Sequence, residues 1–178
     1  DRIMNRKPVI EAVIRHWKET AGDRRTVIFC STKDHARNVY EAFLAASIPT
    51  VLVTGDMGVT ARRAALAKYA AGDAQVIVNV AVLTEGWDHP PTSCVVLLRP
   101  SSFKSTMVQM IGRGLRPVNP EEHPGVVKTD CVILDFGCST LVHGTLEQDV
   151  QLDGREFAGA RSGRKCPECG GTMPASIT

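Results

Sequence analysis

The sequence predicts an α/β layer fold, a parallel sheet covered by helices on both faces, and three observations carry that expectation. Short apolar runs recur at Thr26–Cys30, Thr50–Thr54, Gln75–Val80, Cys94–Leu98 and Asp130–Phe136. They are apolar at nearly every position rather than at alternate ones, as strands buried on both faces are. Segments of helical periodicity lie between the first three, giving the strand-helix-strand order of parallel crossovers.

Each element has a local reason. Val9, Ile10, Val13, Ile14 and Trp17 recur at helical spacing up to a stop at Ala21-Gly22-Asp23. After the strand at Thr26, Ser31 or Thr32 supplies the N-cap of a second helix with Ala36, Val39, Tyr40, Phe43 and Leu44 on one face. That helix gives way near Ser47-Ile48-Pro49 to the strand at Thr50, and Gly55-Asp56-Met57-Gly58 makes the following turn. Thr60 is the expected cap of a third helix, whose apolar positions are Ala64, Leu66, Ala67, Tyr69 and Ala70 and whose end is Ala71-Gly72-Asp73. In such sheets ligands collect at the carboxyl ends of the strands, and the polar motifs at Ser31-Thr32, Thr54-Gly55-Asp56 and Thr84–Asp88 follow three successive strands. Periodicity fades after Gly137, which divides the chain into a domain at 1–137, an extension or linker at 138–165 and a new beginning at 166–178.

Composition limits the function classes. The 178 residues are 43% hydrophobic and 22% charged, which is globular, and a net charge of +2 admits a polyanion partner without demanding one. No apolar run approaches the roughly 18 residues of a membrane span, and the N-terminus lacks a signal-peptide layout, so a cytoplasmic location without membrane contact is expected. Of six cysteines, Cys30, Cys94 and Cys131 fall in apolar runs where a buried thiol is the usual occupant. Only Cys166 and Cys169 look like a pair.

The segment Gln109 to Arg116, Gln-Met-Ile-Gly-Arg-Gly-Leu-Arg, asks for more than folding. On a helix, Gln109, Arg113 and Arg116 at i, i+4 and i+7 share one face. Between Asp88 and Glu121 the only charges are Arg99, Lys104, Arg113 and Arg116, so no local carboxylate neutralises the pair and the face calls for an anion such as phosphate. Gly112 and Gly114 weaken the helix and Pro117 forbids its continuation, placing the arginines at a helix end or on the turn beyond. A solvated basic helix end is the plainer alternative. Gly86-Trp87-Asp88 offers close backbone approach and a carboxylate able to accept from sugar hydroxyls, or is a simple turn. Asp135-Phe136-Gly137 lacks the companions of a kinase metal triplet and reads as a strand end, while Gly112-Arg113-Gly114 follows a helix and so is no dinucleotide fingerprint. His16, His35 and His143 are scattered and read as surface residues.

In this order, Thr26–Lys33, Val53–Asp56, Gln75–Asp88 and Gln109–Arg116 resemble the successive motifs of the second RecA-like lobe of superfamily-2 helicases and translocases. The resemblance covers residues 24 to 137, and Gln-x-x-Gly-Arg-x-x-Arg is its most specific part. It implies a RecA-like fold, with Arg113 and Arg116 as arginine fingers toward the γ-phosphate of ATP held with Mg mainly by another lobe. Gln109 is then a contact to nucleotide or partner lobe, and Gly86 and Asp88 lie beside the ribose. Ser31, Thr32, Thr54 and Gly55 match positions that hold a nucleic-acid backbone. Val80 departs from the threonine that many members carry. The Glu85-Gly86-Trp87-Asp88 wording is nearer to restriction-enzyme motors and excision-repair-type helicases than to DEAD-box proteins, so DNA rather than RNA is the expected strand. The rival reading is a degenerate lobe that binds nucleic acid or protein without hydrolysis.

The chain has no Gly-x-x-x-x-Gly-Lys-Ser/Thr phosphate loop and no Asp-Glu dipeptide, so it is expected to be half of a motor, excised from a longer protein whose N-terminal lobe carries those parts. Cys166 and Cys169, followed by Gly170-Gly171, resemble the first knuckle of a zinc ribbon that further ligands would complete. A redox dithiol needs a preceding strand, which nothing at Arg161 to Lys165 supplies, and a free pair is the remaining alternative.

Overall fold

The computed structural model describes residues 3–83, 87–144 and 146, together with the backbone of 164–165 and 172–173. In chain order the elements are α1 (Lys7–Ala21), β1 (Thr26–Phe29), α2 (Lys33–Ala45), β2 (Thr50–Val53), α3 (Val59–Ala71), β3 (Val76–Asn79), β4 (Cys94–Leu97), α4 (Lys104–Leu115), β5 (Val132–Asp135), α5 (Ser139–His143), β6 (Arg164–Lys165) and β7 (Thr172–Met173). Strands β1 to β5 form one parallel sheet in the order β2-β3-β1-β4-β5. The expected parallel α/β layering is therefore present.

The strand period of two sorts the core into two layers. Ile28, Val76, Val78, Cys94, Val96 and Leu134 face α1 and α2, where Ile10, Val13, Trp17, Val39 and Phe43 cover them. Val27, Phe29, Val53, Ile77, Val95 and Leu97 face α3 and α4, where Tyr69, Met107, Met110 and Ile111 cover them. Two polar groups in the core are paired: the Trp17 indole donates to Thr26 Oγ1 at 2.9 Å, and Asn79 Nδ2 donates to Ile28 O at 2.9 Å. No described helix is long and apolar enough to cross a membrane.

Several expectations are corrected. The residue that precedes α3 is Gly58 rather than Thr60, which lies inside the helix. Tyr69 is the one buried residue of α3, and Ala64, Ala67 and Ala70 are exposed. The cause is that α3 packs on β2 at the edge of the sheet, where a helix has a partner on one side only. His35, read as a surface residue, is fully buried, and burial lowers its pKa so that the neutral ring is favoured. His143 is half-buried, with Nε2 2.6 Å from Ser101 O, whereas His16 is exposed. Beyond Gly137 the chain forms α5, whose Ser139 Oγ accepts from Ser101 N at 3.0 Å. Arg164–Lys165 does supply a short strand, paired antiparallel with Thr172–Met173. Gly86, Cys166 and Cys169 lie outside the described residues.

Candidate functional site

Helix α4 seats on the sheet through Met107, Met110, Ile111 and Gly114. A Cβ at Gly114 would come within 2.5 Å of both Cys131 Sγ and Val95 Cγ2, so a glycine lets the last turn approach β4 and the residue before β5. At Gly112 a Cβ would meet nothing within 4 Å. The helix ends as its glycines and Pro117 require: Arg113 lies in the last turn, and Arg116 is the C-cap with extended dihedrals of −63° and 132°. Gln109, exposed, and Arg113 thus share a helix face, but Arg116 has left the helix and does not.

Since α4 runs from the carboxyl end of β4 back toward the start of β5, its arginines lie near the amino ends of those strands. The chain from β3 to β4 makes the same return. Trp87 comes to rest 5.9 Å from the Tyr69 ring, at the last turn of α3. Trp87 and Asp88 therefore do not stay at the carboxyl edge as their place after β3 suggested. They meet the arginines instead: Arg113 Nη1 donates to Trp87 O at 2.6 Å, and Arg116 Nη1 forms an ion pair with Asp88 Oδ1. The expectation that no carboxylate neutralises the pair is corrected by this contact, because the crossover delivers Asp88 from upstream.

Two supports were missed by the sequence. Lys128 Nζ donates to Arg116 O at 2.7 Å and to Pro90 O at 2.8 Å, and it sits in a polar stretch with no motif to mark it. Behind Trp87 lies a polar-aromatic cluster: His89 stacks on Trp87 at 6.0 Å and 8°. Thr92 Oγ1 is 3.0 Å from both Tyr69 OH and His89 Nδ1, and the Arg25 guanidinium lies 4.7 Å over the Tyr69 ring. His89 is 8% exposed, and burial, with nearby Arg25 and His123, brings its pKa down to about 4.

The other motif residues do sit at the carboxyl ends of β1 and β2. Thr32 caps α2 by accepting from His35 N at 3.2 Å, and Ser31 Oγ, although buried, has no hydrogen-bond partner among the described residues. Thr54 Oγ1 donates to Asp56 Oδ1 at 2.6 Å, and Lys33 Nζ reaches Asp56 Oδ2 at 3.2 Å, joining the two loops. The Thr54 hydroxyl first, then Lys33, hold the Asp56 carboxyl below its usual range. Arg62 Nη2 donates to Gly55 O at 3.2 Å, while the α-carbon of Gly55 faces open space.

This arrangement has known counterparts. The family model described as helicase conserved C-terminal domain matches residues 7–118. A putative ATP-dependent helicase, IRC3, of Saccharomyces cerevisiae is 32% identical over 162 residues, 85% of this chain and 22% of that protein. The putative mitochondrial ATP-dependent helicase irc3 of Schizosaccharomyces pombe is 36% identical over 141 residues, 79% of this chain and 22% of its own length. The chain thus spans about a fifth of the length of these relatives. Among solved structures, a fragment of a putative HsdR subunit of a type I restriction enzyme from Vibrio vulnificus YJ016 superposes with a TM-score of 0.60 at 21% identity, covering 78% of this chain and 28% of that one.

Proposed function

The chain belongs to the helicase conserved C-terminal domain family, and from that premise we propose that it is the second lobe of an ATP-dependent nucleic-acid motor, with Arg113 and Arg116 as its arginine fingers. The convergence of both guanidiniums on Trp87 and Asp88 carries this reading. Phosphoryl transfer needs positioned positive charge more than covalent help, and two arginines leaving one helix end supply it when a phosphate-loop lobe closes on them. The fit to a triphosphate rests on Arg116, which already holds an anion: the Asp88 carboxylate occupies the guanidinium that a phosphate oxygen would take. Closure then transfers Arg116 to phosphate and frees Asp88 for a sugar hydroxyl, with Gly86 beside it and Gln109 toward nucleotide or the other lobe. No group of three His, Cys, Asp or Glu suited to a metal occurs among the described residues, and the proposal assigns the magnesium ligands to the phosphate-loop lobe.

Ser31, Thr32, Thr54 and Gly55 form the strand-binding edge, with DNA as the strand. Its chemistry is backbone contact: the open surface over Gly55 suits phosphate oxygens, the unpartnered but buried Ser31 hydroxyl reaches one only by turning outward, and Thr54 is already engaged with Asp56. Cys166 and Cys169 are assigned, on their Cys-x-x-Cys spacing alone, to the first knuckle of a zinc ribbon, and metal analysis of a chain extended past residue 178 tests it. The division at 137 and 165 is tested by limited proteolysis. A cytoplasmic location stands as a proposal for cell fractionation to decide, since one relative carries a mitochondrial name.

The main test is an ATPase assay of the full-length protein with single-stranded DNA, duplex DNA and RNA in parallel, beside this chain alone. Stimulation by DNA in the full-length protein and none from the isolated chain are the expected results. Strand binding by the full-length protein without any hydrolysis would favour a degenerate binding lobe. Turnover by the isolated chain that disappears in Arg113→Ala would overturn the division into two lobes.

A further inference from the structure

The ammonium of Lys128 is placed where three separate pieces of the lobe meet. Its own segment enters β5, one acceptor is Arg116 O at the C-cap of α4, and the other is Pro90 O on the connection that carries Trp87 and Asp88. A cation suits a helix C-terminus, where the last carbonyls lack intrahelical partners and the helix dipole is negative. Capping alone would need only the first carbonyl. The second fixes the 87–90 connection against the end of α4, and those two pieces carry one contact of each arginine: Trp87 O with Arg113, and Asp88 with Arg116. Burial lowers the Lys128 pKa, the cost of withdrawing the amine from water to reach both acceptors.

We propose that Lys128 is a positioning residue for Arg113 and Arg116, fixing the backbone from which both fingers reach the triphosphate. The inference rests on the motor reading above and extends it to a residue outside the helicase motifs. Arg116 has to leave Asp88 when nucleotide arrives, and at that moment its side chain loses its tie to the connection. Lys128 grips the backbone carbonyl rather than the side chain, so the tether outlasts the exchange. Without it the finger swings from a frayed helix end, and a misplacement on the order of 1 Å at a reacting group costs about 100-fold in rate.

The test compares Lys128→Met with Asp130→Asn in the full-length protein. Met keeps the length of the lysine without its donors. Asp130→Asn weakens a different tie of the same segment, the Arg24 pair at 2.6 and 3.2 Å. Lys128→Met is expected to lower kcat about 10- to 100-fold per folded molecule, with KM for ATP and DNA affinity unchanged and Lys128→Arg restoring part of the rate. Asp130→Asn is expected to lower Tm and leave kcat alone. Should Lys128→Met fail to fold, Lys128→Gln, too short to span both carbonyls, is read by the same criteria. Wild-type kcat in the Met or Gln variant, or an equal kcat loss in Asp130→Asn, overturns the positioning role and leaves the motor reading standing. Absence of stimulated ATPase in the wild-type protein overturns both.

Discussion

The two ends of the sheet are built differently. At the carboxyl ends of β1 and β2, the ties are few and wet: Lys33 and Asp56 are 55% and 59% exposed, and Gly55 opens onto solvent. Near the amino ends of β4 and β5, Arg113, Arg116 and Lys128 each have a named oxygen, backed by the buried His89, Tyr69 and Thr92. Under the proposed function the contrast follows from the two tasks. A cation that meets a transition state must be held in place, whereas contacts that track a phosphate backbone must be released at every step.

The largest expected effect breaks the rigid end. Arg113→Ala or Arg116→Ala in the full-length protein should cut ATP hydrolysis by about three orders of magnitude or more, with DNA affinity nearly intact. Steady-state turnover and a binding titration on the same samples check it, and lost affinity with retained turnover would make the arginines strand contacts. Acid should come next. Because the folded-state pKa of His89 lies near 4 against an ordinary 6.5, the unfolded chain binds the extra proton first as pH falls. Stability is therefore full above about pH 6.5 and declines toward pH 4, by roughly 3 kcal/mol at about 1.4 kcal/mol per unit. The buried His35 acts in the same direction. Urea unfolding across that range, repeated in His89→Asn, should show a shallower slope in the variant.

The two glycines of α4 sharpen the comparison within one helix. Gly114→Ala drives a methyl into Cys131 and Val95 and should destabilise the lobe by about 1–3 kcal/mol. Gly112→Ala meets no atom and should stabilise it by about 0.5–1 kcal/mol. Thermal denaturation separates the pair, and equal losses would mean that the helix seats differently. The smallest effect belongs to the open end. Lys33→Ala should leave ATPase activity at saturating DNA unchanged and reduce the salt slope of DNA binding by about 1. An unchanged slope would mean that the strand edge proposed at Ser31, Thr32, Thr54 and Gly55 does not extend to Lys33.

Residues with a strong local signal were legible in the sequence. The continuously apolar runs became the five strands of the parallel sheet, and the glycines with Pro117 did put Arg113 and Arg116 at a helix end, because backbone preference and period-two burial act over a few residues. Partnership was another matter. Asp88 reached Arg116, and Lys128 joined Arg116 O to Pro90 O, only because the connection from β3 to β4 and the helix α4 both run back along the same sheet face. The strand order β2-β3-β1-β4-β5 separates chain neighbours and joins distant ones. It also left α3 with one covered side. Propensity, periodicity and stop signals are properties of a short stretch of chain, so the sequence alone determined the five strands of the sheet and the helix end that carries the arginines. An ion pair or a part-buried amine is fixed by which crossovers share a face, and only the packed sheet decided that.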